Sequence, residues 1–514
     1  MSDTTSALNN IRFLESKEFP KVPFVLNGIS SRFIQENKVI PLDLRNNVLK
    51  IIMANPRDRD TIDALRVSLS AEILVYGADG LAVDEYISKF YGREGENINK
   101  IIEDMGEKGL EFLKEEEDQD IGHLKDLASE APVIKLVNML ITRALDSRAS
   151  DIHVEPFEDE LKVRYRIDGV LNDIESIPKK LQAAIISRIK IMAKLNIAER
   201  RLPQDGRIRL KVNEREIDMR VSTIPVVHGE SVVMRILSKE GITVDIDLLG
   251  FPPQTLKGFD LLIKKPNGII LVTGPTGSGK TTTLYAALDK INSPDKKIIT
   301  VEDPVEYQLK GVNQIQVKSQ IGLTFANTLR HIVRQDPDII LIGEIRDLET
   351  AEMAIQSSLT GHLVFSTLHT NDAPSAITRL LDMGVENFLL SSTVRGILAQ
   401  RLVRLICPSC KEIDPSIADK EELALFGVES NTPLYRGKGC EHCAWTGYYG
   451  RLGIFELLIV DDDVRKLILK NSDSNQIRGL ARQHGMRTLL EDGAEKIKSG
   501  ITTLSEVLRV TQED

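Results

Sequence analysis

The stretch Gly268-Ile-Ile-Leu-Val-Thr-Gly-Pro-Thr-Gly-Ser-Gly-Lys-Thr281 decides the reading of this 514-residue chain. Its first half is an uninterrupted apolar run, the pattern of a strand buried on both faces of a parallel sheet. Its second half, Gly274, Pro275, Thr276, Gly277, Ser278, Gly279, Lys280 and Thr281, satisfies the phosphate-loop pattern in full. Residues 282–291 follow with helical character, so the order is strand, glycine loop, helix. In that context backbone N–H groups curl around phosphate oxygens, and the helix N-terminus adds its partial positive charge. Lys280 is expected to reach the β- and γ-phosphates of ATP, and Thr281 to ligate Mg²⁺.

Two further apolar runs end in carboxylates. Residues 298–306, Ile-Ile-Thr-Val-Glu-Asp-Pro-Val-Glu, bring Glu302, Asp303 and Glu306; residues 338–344, Asp-Ile-Ile-Leu-Ile-Gly-Glu, bring Glu344. Strand ends in open α/β sheets are where ligands bind. One acid is expected in the Mg²⁺ shell and another to polarise an attacking water. The residues alone leave the division of roles among Glu302, Glu306 and Glu344 open. A third run, 362–369, starts at His362 and ends at His369, a strand end placed to sense a γ-phosphate.

Working outward, residues 243–400 alternate strand and helix and predict a mostly parallel sheet with helices on its faces. Upstream, 130–242 reads as an α+β domain. Helical spacing at 133–145 is followed by strands near 151–155, 161–167, 207–212 and 217–221. Asp168-Gly169 and Asp205-Gly206 are expected to be hairpin turns. Residues 1–95 read as a small α/β partner-binding domain. Between them, 96–129 is expected to be an acidic linker, since 103–120 holds nine acidic and two basic residues. Residues 461–514 read as helical.

The chain has only four cysteines, Cys407, Cys410, Cys440 and Cys443, in two Cys-x-x-Cys pairs with 29 residues between them. Two such knuckles can present four thiolates tetrahedrally, so 401–460 is expected to be a closed structural Zn²⁺ subdomain. His442 is adjacent to the set without being an expected ligand. The formal charge of −10 weighs against a protein that coats nucleic acid. No basic-then-apolar start and no apolar run of membrane-spanning length is visible, which places the chain in the cytoplasm by expectation.

Together the phosphate loop, the acidic box 300–306, the Glu344 strand and the histidine box 360–369 resemble the secretion ATPases of type II secretion and type IV pilus systems. Residues 149–156 (Ala-Ser-Asp-Ile-His-Val-Glu-Pro), 202–207 (Leu-Pro-Gln-Asp-Gly-Arg) and 218–223 (Asp-Met-Arg-Val-Ser-Thr) extend the resemblance over roughly 130–510. It implies a RecA-like P-loop ATPase domain in a homo-hexamer, with ATP between that domain and the α+β domain before it. It further implies that Arg220 and Arg235, and less directly Arg207, approach the γ-phosphate. Glu344 would lie in the Mg²⁺ or water shell, with Glu306 as general base supported by Glu302 or Asp303. The cysteine knuckles and the short N-terminal domain point to the type II secretion branch, with pilus assembly as the alternative and nucleic-acid translocation a more distant one. That branch implies peripheral association with the inner membrane through two partners. One is the cytoplasmic domain of an inner-membrane secretion protein, met by the N-terminal domain; the other is a polytopic inner-membrane platform protein.

Overall fold

A computed structural model describes parts of residues 12–90, and then 121–212, 215–237, 245–414, 428 and 432–512. The acidic run at 103–120 lies outside the described residues.

The phosphate loop sits on a seven-stranded sheet. Its order is Val312–Gln316, Ile298–Glu302, Ile339–Ile342, Leu363–Leu368, Gly268–Thr273, Val394–Ile406 and Tyr448–Ile459. The first six strands run parallel, and the last pairs antiparallel. All six residues of Gly268–Thr273 are buried. Ile269 and Leu271 join one apolar core and Ile270 and Val272 another, as period-2 side chains must when helices cover both faces. Helix Lys280–Ile291 contributes Leu284, Ala287 and Leu288 to the second core, so the loop is anchored at both ends.

The final tenth of the chain packs helices Asp462–Leu469, Ser474–Gln483, Leu489–Lys498 and Leu504–Thr511 onto this domain. Each begins at a side-chain cap, from Asp461, Asp473, Thr488 and Thr503 respectively, that satisfies otherwise orphaned backbone N–H groups.

Upstream lies a six-stranded antiparallel sheet in the order Val170–Pro178, Glu160–Ile167, Ala149–Pro156, Gly229–Leu237, Arg215–Val226 and Gln204–Val212. Strand Glu160–Ile167 alternates strictly: Leu161, Val163, Tyr165 and Ile167 are buried. They face helices Ala131–Asp146 and Gln182–Met192 in one core, and Lys162, Arg164 and Arg166 take the other face. Asp168-Gly169 is a hairpin turn, with φ of 49° and 89°. Asp205-Gly206 is not. It lies inside strand Gln204–Val212, in register with Ser222 and Val221. A Cβ on Gly206 would come within 2.6 Å of the Ala193 carbonyl, so this glycine serves close backbone approach rather than chain reversal.

The N-terminal unit is a four-stranded sheet, Phe13–Leu14, Glu72–Ala78, Val48–Met53 and Val39–Arg45, with helices Arg59–Leu69 and Gly80–Phe90. Within the segment expected to be linker, residues Ile121–Ala128 are helical, and Leu127 is buried with Val133 and Ala184. The expected cysteine segment 401–460 is divided as well. Its ends complete the long strands Val394–Ile406 and Tyr448–Ile459, and the cysteines form an insert between them with a two-stranded ribbon, Lys411–Ile413 and Tyr435–Gly437. The fold is therefore α/β, a RecA-like domain preceded by an α+β unit and a small N-terminal α/β unit, with a four-cysteine insert. No helix among the described residues is long and apolar enough to cross a membrane.

Candidate active site

A cavity of about 900 Å³ opens over the phosphate loop, between the seven-stranded and six-stranded sheets. Pro275 through Thr282 line it. Gly274 has φ of 148°, and a Cβ there would meet the Gln400 carbonyl at 2.5 Å and Ser278 Oγ at 2.7 Å. Gly279 caps helix Lys280–Ile291 at φ 87° with no side chain satisfying the first helical N–H groups. An uncapped helix N-terminus beneath a glycine loop is an anion site. Ser278 Oγ is buried with no hydrogen-bond partner among the described residues, a polar atom that a phosphate oxygen would satisfy. Lys280 is buried and donates to the carbonyls of Gly274 at 2.7 Å and Pro275 at 3.1 Å. Burial pulls its ammonium down to about 8, with Glu344 pulling it back up and Arg401 pushing it further down. The loop thus fits a polyphosphate, and Thr281, exposed to the cavity, is free to meet a cation bound to it.

Glu344 follows strand Ile339–Ile342 and faces the cavity. Arg346 donates to one of its oxygens at 2.5 Å, and His369 Nε2 lies 3.3 Å from the other. The histidine box splits here: His369 reaches the site, whereas His362 bonds the Ser357 carbonyl at 2.7 Å at the end of helix Leu348–Leu359 and does not line the cavity. Glu306 is exposed at the cavity wall. Glu302 lines the cavity too, but it is buried and its carboxylate accepts from Tyr285 Oη, Thr300 Oγ1 and Gln314 Nε2. Burial, and then the Glu302 carboxylate, pushes the Tyr285 phenol far up, so Tyr285 remains a donor.

The polar face of the six-stranded sheet supplies the opposite wall. One cross-strand row runs Arg166, Asp151, Arg235, Arg220, Arg207, each directly opposite the next. Arg235 and Arg166 line the cavity together with Asp151. Arg220 lies one strand beyond Arg235 and Arg207 one further, and neither lines it; Arg207 is instead paired with Asp218 at 2.6 Å. Burial alone would raise the Asp151 carboxyl, but hydrogen bonds from Arg235 and Ser150 and the nearby charges hold it below the usual range. Sequence reading missed Arg166, Arg346, Arg401, Arg451 and Arg509, all of which line the cavity. For Arg346, two residues past Glu344, that adjacency was a usable signal; Arg401, Arg451 and Arg509 come from elements whose approach to the loop only the fold reveals.

The four cysteines meet. Their sulfurs all lie within 4.8 Å of one another, with separations of 3.7, 3.8 and 3.9 Å for three of the pairs. Tetrahedral Zn–S bonds of about 2.3 Å put sulfurs about 3.8 Å apart, so three of the pairs already stand at that spacing and the set as a whole is compatible with the ion.

Residues 126–509 match the family described as type II/IV secretion system protein, and residues 9–97 match the MshEN domain. The chain is 53% identical over 493 residues to the type II secretion system protein E of Xanthomonas campestris pv. campestris, an alignment covering 95% of this chain and 85% of that protein. It is 42% identical over 519 residues to the type IV pilus assembly ATPase PilB of Myxococcus xanthus, covering 100% and 91%. The structure of the Legionella pneumophila ATPase DotB superposes with a TM-score of 0.54 at 21% identity, over 73% of this chain and 95% of that one, a likeness of fold. With a family match spanning most of its length on top of the loop, acids and arginines gathered around one cavity, this chain belongs to the type II/IV secretion system protein family.

Proposed function

We propose that this chain is the ATPase motor of a type II secretion system, hydrolysing ATP to drive pseudopilus assembly and protein export. The observation that carries the proposal is the two-walled cavity: a phosphate loop with Glu344 and His369 on one side, Arg166 and Arg235 from a separate sheet on the other. Charge shifting on a bound triphosphate then acts on the seam between two units, which is how hydrolysis becomes motion.

In this reading Lys280 and the loop N–H groups hold the β- and γ-phosphates. Mg²⁺, when bound through Thr281, neutralises phosphate charge. Glu344, oriented by Arg346 and His369, orders the attacking water. Glu306 takes its proton as the γ-phosphorus–oxygen bond to ADP breaks. Glu302, with its carboxylate already bonded to three donors, supports the strand end that carries Asp303 and Glu306. Arg235, with Arg166, stabilises the charge that spreads over the transferring phosphoryl oxygens; Arg220 and Arg207 extend the same row.

The four thiolates would hold a structural Zn²⁺. The division into N-terminal, α+β, RecA-like, cysteine and C-terminal helical units is part of the proposal. So are a homo-hexamer, docking of the N-terminal unit on the cytoplasmic part of an inner-membrane secretion protein, and contact with a polytopic platform protein. The greater identity to a type II secretion protein E than to PilB favours secretion over pilus assembly. The deciding experiment measures Mg²⁺-dependent ATP hydrolysis by the purified chain and restoration of secretion in a strain lacking its own motor. Activity lost in Lys280→Ala, with secretion restored by the wild type only, supports the proposal; restored piliation without secretion would shift it to the pilus branch.

A further inference from the structure

Beside the nucleotide cavity, the start of strand Tyr448–Ile459, which follows directly on the cysteine insert, meets the six-stranded sheet unit. His442 sits between the last two cysteines, and its ring stacks on Tyr449 with centroids 4.1 Å apart and planes 13° from parallel. The guanidinium carbon of Arg148 lies 3.6 Å from the centroid of the same Tyr449 ring. Two groups that close to one ring centre would overlap on a single face, so they take opposite faces. Arg148 belongs to the turn between helix Ala131–Asp146 and strand Ala149–Pro156, in the left-handed region at φ 57°. The residue after Tyr449, Gly450, donates its N–H to Asp168 Oδ2 at 3.1 Å, and Arg148 approaches that same oxygen at 3.5 Å. Asp168 in turn lines the nucleotide cavity, as does Arg451.

We propose that the four-cysteine insert is a clamp that seats the arginine-bearing sheet on the nucleotide site, with Tyr449 and Arg148 as its positioning residues. A ring held between a cation and a second flat ring resists sliding, because both contacts weaken as the faces separate. His442 stands in a three-residue helical turn, Glu441–Cys443, whose place is set by the cysteines that bracket it. The cysteines thus fix His442, His442 fixes Tyr449, and Tyr449 with Gly450 fixes Arg148 and Asp168. What lies on the far side of that chain is the sheet presenting Arg166 and Arg235 to the loop. The clamp rests on the ATPase reading above, since it matters only if those arginines act on a bound nucleotide.

The test uses the full chain. Hydrogen exchange of the nucleotide-free protein is followed at residues 146–150 and 166–170, alongside Mg²⁺–ATP kinetics and metal content, for Tyr449→Leu, Tyr449→Phe and Arg148→Gln. Tyr449→Leu and Arg148→Gln should expose both segments several-fold faster. They should lower kcat about tenfold while KM stays within about threefold, the signature of misplaced rather than missing groups. Tyr449→Phe keeps the ring and should restore both readouts with metal content unchanged throughout. Unchanged exchange and kcat in both disrupting variants would overturn the clamp. So would a Tyr449→Phe as defective as Tyr449→Leu, or loss of metal from Tyr449→Leu, which would make the ring a brace for the insert alone. Arg148 lies outside the insert, so Arg148→Gln decides the matter if Tyr449→Leu does not fold. A wild type without ATPase activity would sink the motor reading and leave the exchange result to judge the contact.

Discussion

Arg235 donates from Nε to Oδ1 of Asp151 at 2.8 Å, from directly opposite it on the neighbouring strand. The carboxylate is buried, at 6% exposure, while the arginine is 65% exposed. A buried acid therefore holds one edge of an exposed cation, and the bond through Nε leaves the terminal nitrogens to meet a phosphate. Asp151→Asn should lower kcat about 10–100-fold through loss of aim, with little change in nucleotide affinity. Arg235→Ala should cost more, about 10³-fold, because it removes the charge itself. Steady-state kinetics beside equilibrium nucleotide binding separate the two; equal effects on kcat and affinity in Asp151→Asn would refute the positioning role.

Glu344 is pinned between Arg346 and His369, so its carboxylate is oriented before nucleotide arrives. Glu344→Gln keeps the shape and removes the charge. Nucleotide binding should persist while turnover falls about 10²–10⁴-fold. Full turnover in this variant, measured as phosphate release, would move the role to Glu306.

Lys280 sits at about 8 before nucleotide binds, because burial disfavours its charged form. The charged form is the one that holds phosphate. Above about 8 the free protein has lost the proton, and binding must recapture it, so affinity should fall as pH rises from 7.5 to 9.5, by up to about tenfold per unit. Lys280→Arg, charged throughout, should bind with no such slope. Titration with a fluorescent nucleotide at constant ionic strength reads both.

The cysteine sulfurs already stand at zinc-like separations. Elemental analysis of protein prepared without chelator should find one zinc per chain, and Cys440→Ser should lose it and lower the melting temperature. A metal-free wild type of the same stability would disprove the site.

Glu506 is 2% exposed on its side chain and binds both Arg404, at 2.5 Å, and Arg509, at 2.8 Å. Burial alone would raise its carboxyl, but the hydrogen bonds from Arg509 and Arg404 overcome that and hold it at about 2. The ionised form is thus favoured in the folded state. Its contribution is fully present above the ordinary value of 4.5 and is lost as pH falls toward 2. Glu506→Gln leaves two arginines short of a partner and should cost about 3–5 kcal/mol near neutrality. The gap from wild type in chemical denaturation should narrow steadily below pH 4.5; a gap independent of pH would show that packing, not charge, is what Glu506 supplies.

Much of this molecule was legible in its residues because the signals are local. The loop 274–281 carries its own mechanism, since glycines, lysine and threonine at fixed spacing suffice to specify a phosphate cradle. Apolar runs at 268–273, 298–302 and 339–342 announce buried strands by composition, and two Cys-x-x-Cys pairs announce a four-thiolate set. Where two local signals coincide, the reading can fail: Asp205-Gly206 has the composition of a turn, yet its glycine is there to let Ala193 approach. Only the tertiary structure could decide which arginines line the cavity over the loop. Arg207, Arg220, Arg235 and Arg166 share one cross-strand row, but the seam between the sheets admits Arg235 and Arg166 and leaves the others further along. It also decided that Glu302 is a buried strut and that His442 touches Tyr449 rather than standing idle beside its cysteines. The reason is physical. Strand and loop chemistry is set by neighbours a few residues apart, whereas an active site at a seam depends on how two separately folded cores come to rest against each other.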